Sequence, residues 1–416
     1  MDIRRSIVSS RSLAPFIRDA LQAVVQESVS SPMEQAGLAQ EVEAGMAAIR
    51  QSEIMPDVMS SPQHAMGSLI QSFAAEHARD FGGYNPAAAD ALEVKFDEHD
   101  IAGWFTSLFD WLKQFRKRPL LPSSSAIGTL PESPSVALFA DWGTGLYGAP
   151  VIANSISHLE MPLHLVWHLG DVYCAGTKKE EQKRLIELWP KRNGAIMRAC
   201  NSNHEMYSGG EGFFDLTIPF TEQLSSYFAL ENERWLLVGL DSAHHDHQLA
   251  GDQVAWLTAL IVRNPKKRVV LCSHHQPFSL LDKQGPKLSA QLSPLLSTKK
   301  IFAWYWGHEH RCVLYKKRDD WGLWGRCIGH GGFPYFRDQF ANAPVQTAPN
   351  GLTWRRLEAT SASPGGTVLD GPNANIPEHT GAYGPHGFAT ITLADTHIQE
   401  FIHDADGTVV AETRLI

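Results

Sequence analysis

Short apolar runs that end on an ionisable residue recur through the middle of the chain. These runs are residues 136–140 before Asp141, 164–169 before Gly170 and Asp171, 235–240 before Asp241, 268–273 before His274, and 301–306 before Gly307 and His308. Each has the length and composition of a buried strand, and helical stretches such as 180–192 and 252–262 lie between several of them. The pattern predicts an α/β fold in which strand ends bring polar side chains together.

Residues 1–118 have a different pattern and are predicted to form a helical N-terminal region. Apolar side chains recur at helical spacing in 13–25 and 66–73, and the most apolar stretch is 101–115. That stretch ends in the basic residues 116–118, which also suits a helix on a membrane surface or against a partner protein. We favour the alternative that its aromatic stripe docks the helical region onto the catalytic core.

The remainder of the chain is predicted to be a linker followed by a catalytic domain. Residues 119–134 are rich in Pro and Ser and have the character of a linker, so the catalytic domain is placed at 135–416. Residues 343–386, rich in Pro, Gly, Asn and Thr, indicate a long surface excursion. Alternating residues and a turn signal at 404–407 predict a β-hairpin in 387–416.

Composition and charge narrow the class of protein only slightly. A net charge of −9 argues against a nucleic-acid binder with a broad basic surface, so no stable nucleic-acid complex is expected. The five cysteines form no recognisable disulfide or zinc pattern, which favours free thiols in a reducing compartment. With no signal-like N-terminus and no apolar run near 18 residues, we expect a cytoplasmic enzyme without a transmembrane segment.

The polar residues at the strand ends, with one loop motif, form a set that suits metal binding. The set contains Asp141, Asp171, Asn203-His204-Glu205, His274-His275 and His308-Glu309-His310. A carboxylate at the end of a buried strand is costly unless it is paired or bound to a cation. Carboxylate, amide and imidazole ligands together suit zinc, manganese or iron, and one carboxylate can bridge two ions about 3.5–4 Å apart. The sequence therefore predicts a dinuclear metal site.

The order of these motifs resembles that of the calcineurin-like metallophosphoesterases. The matching motifs are Asp141-Trp-Gly143, Gly170-Asp171-Val-Tyr173, Asn203-His204-Glu205, His274 and Gly307-His308-Glu-His310. Within the superfamily, Asp-x-Gly is similar to the purple acid phosphatase branch, where most other members have Asp-x-His. The resemblance covers about residues 135–311. It implies a four-layer β-sandwich flanked by helices, and hydrolysis of phosphate esters by metal-activated hydroxide.

The same resemblance implies a role for each matching residue. Asp171 would bridge two metal ions (Fe, Mn or Zn), with Asp141 and His310 on the first and Asn203, His274 and His308 on the second. His204 would assist the leaving group as a general acid. Glu205 would orient His204. The implied substrate is a phosphorylated small molecule or a nucleotide.

Several positions depart from the family pattern or leave alternatives open. Gly143 stands where most members have a metal-binding His, and the purple acid phosphatases compensate with a Tyr at the position that is Cys174 here. Tyr173, Cys174 or water alone could complete the first metal. Ser202 replaces the usual Gly and is expected to be tolerated because it is small.

The remaining histidines are harder to assign. We favour His274 over His275 as the metal ligand, because adjacent residues of an extended segment point in opposite directions; His275 would contact substrate or pack in the core. The glycines beside His330 indicate backbone close to the site and a substrate or supporting role for this His. The histidines of residues 244–247 are interpreted first as solvated loop residues.

Three alternatives to a phosphatase remain open on sequence grounds. One is a phosphodiesterase or nucleotide-directed hydrolase with the same fold. Another is a non-catalytic regulatory binding protein, which the incomplete shell of the first metal motivates. A third assigns the N-terminal helices to docking of a partner protein.

Overall fold

The computed structural model describes residues 32–52, 64–76, 115–122, 127–245, 247–282, 285–337 and 344–416. The chain divides into two compact units. Unit 1 comprises Met1–Arg118, Tyr173–Glu180 and His204–Gly212, and unit 2 comprises Pro119–Val172, Glu181–Asn203 and Phe213–Ile416. The predicted helical stripes at 13–25 and 101–114 lie outside the described residues.

Two β-sheets form the centre of unit 2. The six-stranded sheet has the order β16-β15-β14-β2-β3-β4, and the ten-stranded sheet has the order β1-β5-β6-β7-β8-β10-β9-β13-β12-β11. The strands are β1 (Gly128–Thr129), β2 (Ser135–Phe139), β3 (Leu165–His168), β4 (Ile196–Ala199), β5 (Phe228–Glu231), β6 (Trp235–Gly239), β7 (Arg268–Ser273), β8 (Ile301–Trp306), β9 (Cys312–Tyr315), β10 (Trp324–Ile328), β11 (Val345–Thr347), β12 (Thr353–Leu357), β13 (Gly366–Asp370), β14 (Gly387–Leu393), β15 (Ile398–Asp404) and β16 (Val409–Leu415). The neighbours β2, β3 and β4 run parallel, as do β6, β7 and β8.

The described ranges contain eight α-helices of 3 to 21 residues. They are α1 (Pro32–Ser52), α2 (Ala65–Glu76), α3 (Ala149–His158), α4 (Lys178–Glu180), α5 (Asn203–Tyr207), α6 (Ile218–Phe220), α7 (Gln253–Arg263) and α8 (Pro286–Leu296), with a π-helical turn at Glu181–Ile186 that continues α4. None of the helices in these ranges combines the length and apolar character needed to cross a bilayer.

Alternation along the strands produces the layers of unit 2. In β2, Val136 and Leu138 enter the core between the two sheets, while Ala137 and Phe139 pack with Ile152 of α3 on the outer face. The outer face of the ten-stranded sheet packs in the same way against α7 and α8. The arrangement is therefore helix, sheet, sheet, helix, and the predicted layered α/β sandwich is confirmed.

The C-terminal third is more regular than its sequence indicates. The predicted surface excursion at 343–386 is wrong in part, because β11, β12 and β13 extend the ten-stranded sheet through antiparallel pairing. The predicted hairpin at 387–416 gains a third strand, β16, which pairs with β15. Backbone pairing overrides local composition at 343–386, since this Gly- and Pro-rich segment adopts strands where a sheet edge offers partners.

Unit 1 joins part of the N-terminal region to two later segments of the chain. The carboxylate of Glu180 accepts hydrogen bonds from Ser72 Oγ (2.8 Å), from the backbone N–H of Cys174 (2.6 Å) and from the N–H groups of Ala175 and Thr177 (3.1 Å each). Glu180 is 3% exposed, and these donors satisfy its buried carboxylate. One side chain of α2 and the 174–177 loop thus share a single buried acceptor.

The two sheets of unit 2 are tied together by a buried ion pair. Arg326 Nε of β10 donates to Glu400 Oε1 of β15 at 2.7 Å, and Tyr305 Oη of β8 donates to Glu400 Oε2 at 2.8 Å. Glu400 is fully buried and Arg326 is 2% exposed. Removing one partner of such a pair leaves the other charge buried without a counter-charge, whereas removing both partners does not.

We therefore expect Glu400→Gln to lower the free energy of unfolding by about 3–5 kcal/mol, because the Arg326 guanidinium is left without its counter-charge. Urea denaturation monitored by tryptophan fluorescence measures the change. The double variant Arg326→Met with Glu400→Leu should be destabilised less than Glu400→Gln alone. A single variant within about 1 kcal/mol of wild type would contradict the assigned role.

Candidate metal centre

The candidate centre forms where strands of the two sheets end. Asp141 and Asp171 follow β2 and β3 of the six-stranded sheet, and His274 and His308 follow β7 and β8 of the ten-stranded sheet. Backbone hydrogen bonds join the loops in pairs, from Asp141 N to Gly170 O (2.9 Å) and from Gly307 N to His274 O (3.1 Å). The sequence prediction that these strand ends converge agrees with this geometry.

Four predicted ligands surround one point in unit 2. His274 Nε2 lies 3.1 Å from Asp171 Oδ1, from Asn203 Oδ1 and from His308 Nδ1. His274 Nδ1 is 2.9 Å from the carbonyl oxygen of Leu169, so its N–H donates there and the Nε2 lone pair faces the other three atoms. Ligands held about 2.1 Å from one cation lie at comparable separations from each other.

A second group uses the other oxygen of the same aspartate. Ligand atoms of Asp141, Asp171 and His310 lie within 4.8 Å of one another, and His310 Nε2 is 3.5 Å from Asp171 Oδ2. Asp171 therefore belongs to both groups, one through each carboxylate oxygen. This is the arrangement expected of a carboxylate shared by two cations.

The electrostatics of Asp141 test whether a cation fits. Its Oδ1 accepts a hydrogen bond from the His308 backbone N–H at 3.0 Å, whereas its buried Oδ2 has no hydrogen-bond partner. Burial, followed by the neighbouring charge of Asp171, raises the pKa of Asp141 well above its ordinary value. An orphaned buried acceptor beside a second carboxylate is the environment that a bound cation would stabilise.

The backbone is unusual at these same residues. Asp141, Asp171, His308 and His310 have φ angles of 54°, 74°, 69° and 52°, in the left-handed region that non-glycine residues rarely adopt. Such conformations cost of order 1–3 kcal/mol each and cluster at functional sites. The fold accepts this cost at four of the predicted ligands, which supports a functional role for them.

Gly329 explains why a glycine-rich stretch follows the last motif. A Cβ at this position would collide with Asp141 Oδ2, so only glycine lets the carboxylate occupy its place. The adjacent His330 is fully buried, its Nε2 lies close to the backbone of Gly387, and burial lowers its pKa to about 3. In this stretch, Gly329 is the residue whose lack of a side chain leaves room for the Asp141 carboxylate.

Two hydrogen-bonded pairs that the sequence did not predict involve neighbouring residues, and only the first reaches a candidate ligand. Ser202 Oγ donates to Asp171 Oδ1 at 2.6 Å, so the residue that departs from the family pattern holds the shared carboxylate. Asn201 Nδ2 donates to both oxygens of Asp241 at 3.2 Å. Ser202 carried a signal, because it replaces a glycine; Asn201 carried none.

His275 and His247 lie beside the group that contains His274 and His308. Ring centroids are 4.8 Å apart for His274 and His275, and 3.9 Å apart for His247 and His275. The neighbouring His245 is exposed, as expected for a loop residue, and His244 is half-buried. His247 is therefore drawn into a histidine cluster, unlike the solvated residue expected from the sequence.

The remaining predicted residues belong to unit 1. His204 is 1% exposed, and its Nδ1 lies 2.7 Å from the carbonyl oxygen of Cys174. Its ring centroid is 3.8 Å from that of Tyr173, which is fully buried, and Glu205 is 1% exposed. Because Glu180 binds the Cys174 backbone N–H, the acceptor of His204 is itself held in place. The roles of Tyr173, His204 and Glu205 stay predictions.

No family model matches the sequence, and no curated protein matches it. Among solved structures, the chain is similar to purple acid phosphatase PPD1 from yellow lupin (Lupinus luteus) seeds, with a TM-score of 0.48, 13% identity, and coverage of 68% of this chain and 54% of the lupin chain. This chain thus spans about half the length of that phosphatase.

Two further solved structures have comparable overlaps. GAP50, described as the anchor in the inner membrane complex of Plasmodium, has a TM-score of 0.48 and 10% identity, with coverage of 68% and 89%. A dimetal phosphatase from Danio rerio has a TM-score of 0.40 and 14% identity, with coverage of 68% and 98%. These similarities concern the fold, and no residue role in this chain follows from them.

Glu309, between the two histidines of the last motif, provides a test of the electrostatics. Burial raises its pKa to about 8, so in the metal-free protein the folded state keeps a proton that the unfolded state loses above about pH 4.5. As the pH rises from about 4.5 to about 8, the free energy of unfolding that Glu309 contributes therefore decreases. We expect Glu309→Gln to gain stability over wild type by about 1.4 kcal/mol per pH unit across this window.

Urea denaturation of both metal-free proteins at pH 5 and pH 7.5 measures the difference. The exposed Glu233→Gln should show no such pH dependence relative to wild type. If the difference in unfolding free energy between Glu309→Gln and wild type is the same at both pH values, the Glu309 carboxyl group is not protonated in the folded protein.

Proposed function

We propose that the protein is a metal-dependent phosphoesterase with two cations held by the groups that share Asp171. The observation that carries this proposal is the position of His274 Nε2, 3.1 Å from each of three other predicted ligand atoms. The orphaned Oδ2 of Asp141 and the second oxygen of Asp171 supply the other group. Two cations with open positions would supply Lewis-acid stabilisation of a phosphoryl group and a water of lowered pKa.

The chain's own residues divide into those that hold ligands and those that fix their orientation. Asp141, Asp171 and His310 hold one position, and Asn203, His274 and His308 hold the other. Hydrogen bonds orient the ligands, from His274 Nδ1 to Leu169 O and from Ser202 Oγ to Asp171 Oδ1. Such supporting contacts typically change metal affinity or activity by 10–100-fold when removed.

His204 is proposed as the residue that gives a proton to the leaving group. It follows the proposed ligand Asn203 directly in the chain, and its Nδ1 lies 2.7 Å from the Cys174 carbonyl oxygen. With Nδ1–H donating to that oxygen, Nε2 is the nitrogen that exchanges a proton. Glu205 is proposed to support His204 rather than to act on substrate, and Tyr173 is proposed as a further ligand of the first metal.

Replacement of Asp171 by Asn is expected to remove metal and hydrolysis together, because both groups lose a charged ligand. Metal content after reconstitution with Mn²⁺, Zn²⁺ or Fe²⁺ is measured by mass spectrometry, and turnover is measured on chromogenic phosphate monoesters and diesters. Turnover should fall at least about 100-fold, beyond the effect of losing a supporting contact.

The exposed Asp395→Asn is the matched control and should behave as wild type. If Asp171→Asn keeps both metal equivalents and wild-type turnover, Asp171 is not the shared ligand. If the wild-type protein binds two metals yet hydrolyses neither ester class, the chain is a binding protein that retains the fold. The ratio of monoester to diester turnover identifies the substrate class.

Replacement of His204 by Ala is expected to leave metal content unchanged while slowing hydrolysis. A general acid matters most for poor leaving groups, so the loss should be about 10²–10⁴-fold for an alkyl phosphate and smaller for p-nitrophenyl phosphate. The exposed His158→Ala serves as the control. An equal loss for both leaving groups would show that His204 does not act as the proton donor.

A further inference from the structure

Three imidazole rings form a further cluster beside the shared-aspartate arrangement, and His308 belongs to both. Ligand nitrogens of His247, His275 and His308 lie within 4.8 Å of one another. Their ring centroids are separated by 3.9 Å for His247 and His275, 4.7 Å for His275 and His308, and 5.3 Å for His247 and His308. Three convergent imidazoles are a ligand set that zinc and similar cations take.

His275 gives independent evidence that the cluster receives a ligand. The side chain is fully buried, and its Nε2 has no hydrogen-bond partner. Its Nδ1 lies 2.9 Å from Ser242 Oγ. In the tautomer whose Nδ1–H donates to Ser242, the Nε2 lone pair is available, which is how metal-binding histidines are usually oriented.

The charge near the cluster favours a cation over an anion. His308 presents Nδ1 to His274, and its other nitrogen, Nε2, lies 4.0 Å from Asp282 Oδ2. A carboxylate at this distance would repel a phosphate group and attract a metal ion. The two nitrogens of His308 therefore face different neighbours, His274 on one side and Asp282 on the other.

We propose that His247, His275 and His308 bind a further divalent cation of the zinc type, adjoining the two positions described above. The site lies beyond the proposed dinuclear centre, since His247 and His275 come from outside its ligand set. Its occupancy does not depend on hydrolysis, because it is read from metal content rather than turnover.

The test counts zinc in the full-length protein. Wild-type protein is stripped with a chelator, saturated with zinc, freed of unbound zinc by gel filtration, and analysed by mass spectrometry. We expect His247→Ala to retain one zinc ion per chain fewer than wild type. His245→Ala, two residues earlier on the same loop and exposed, should retain the wild-type number. His247→Gln, which keeps a polar side chain of similar reach, should match His247→Ala.

Two results would overturn the proposal. One is an equal zinc count in wild type, His247→Ala and His245→Ala. The other is an unchanged zinc count in His247→Ala with weaker binding of inorganic phosphate, which would identify an anion subsite instead. If the wild-type protein hydrolyses no ester but loses one zinc on substitution of His247, the proposed function fails while this site stands.

Discussion

The constraint on which the centre depends is the burial of two carboxylates beside each other. Asp141 and Asp171 are both inaccessible to solvent, and the charge of Asp171 adds to burial in raising the pKa of Asp141. Two adjacent carboxylates cannot both ionise in such surroundings without compensation. Neighbouring groups stabilise the two carboxylates. The imidazoles of His274 and His310 lie close to Asp171, the Ser202 hydroxyl donates to Asp171, and the His308 N–H donates to Asp141.

The packing of the two sheets holds the buried carboxylates Asp141 and Asp171 next to each other. Each sheet delivers two of the strand ends, so their relative position depends on how the sheets pack. The core between the sheets and the Arg326–Glu400 ion pair fix that packing from within. Left-handed backbone at Asp141, Asp171, His308 and His310 is tolerable because stable strands precede these loops. Stability in the sheets therefore offsets strain at their ends.

The sequence predicted the strands well, and it predicted that the polar side chains at their ends lie close together, because each strand is a local pattern with a long-range consequence. Apolar runs of strand length ending in Asp or His place those side chains without knowledge of the partners. The sequence could not predict β11–β13, since these strands depend on pairing with β9 and on one another rather than on their own composition. The contact between Ser202 and Asp171 was hidden for a related reason: it joins residues 31 positions apart.

His247 and His330 illustrate how far residue type alone misleads. Both are histidines near motif residues, and the sequence favoured His330 for a role at the site and His247 for the solvent. In the fold, His330 is buried near Gly387 and its role stays a prediction, whereas His247 packs against His275. At Gly329 it is the backbone that approaches Asp141, and the ring of His330 does not take this place. A histidine's chemistry is thus decided by which face of its segment is buried, and that information resides in the packing of the sheets.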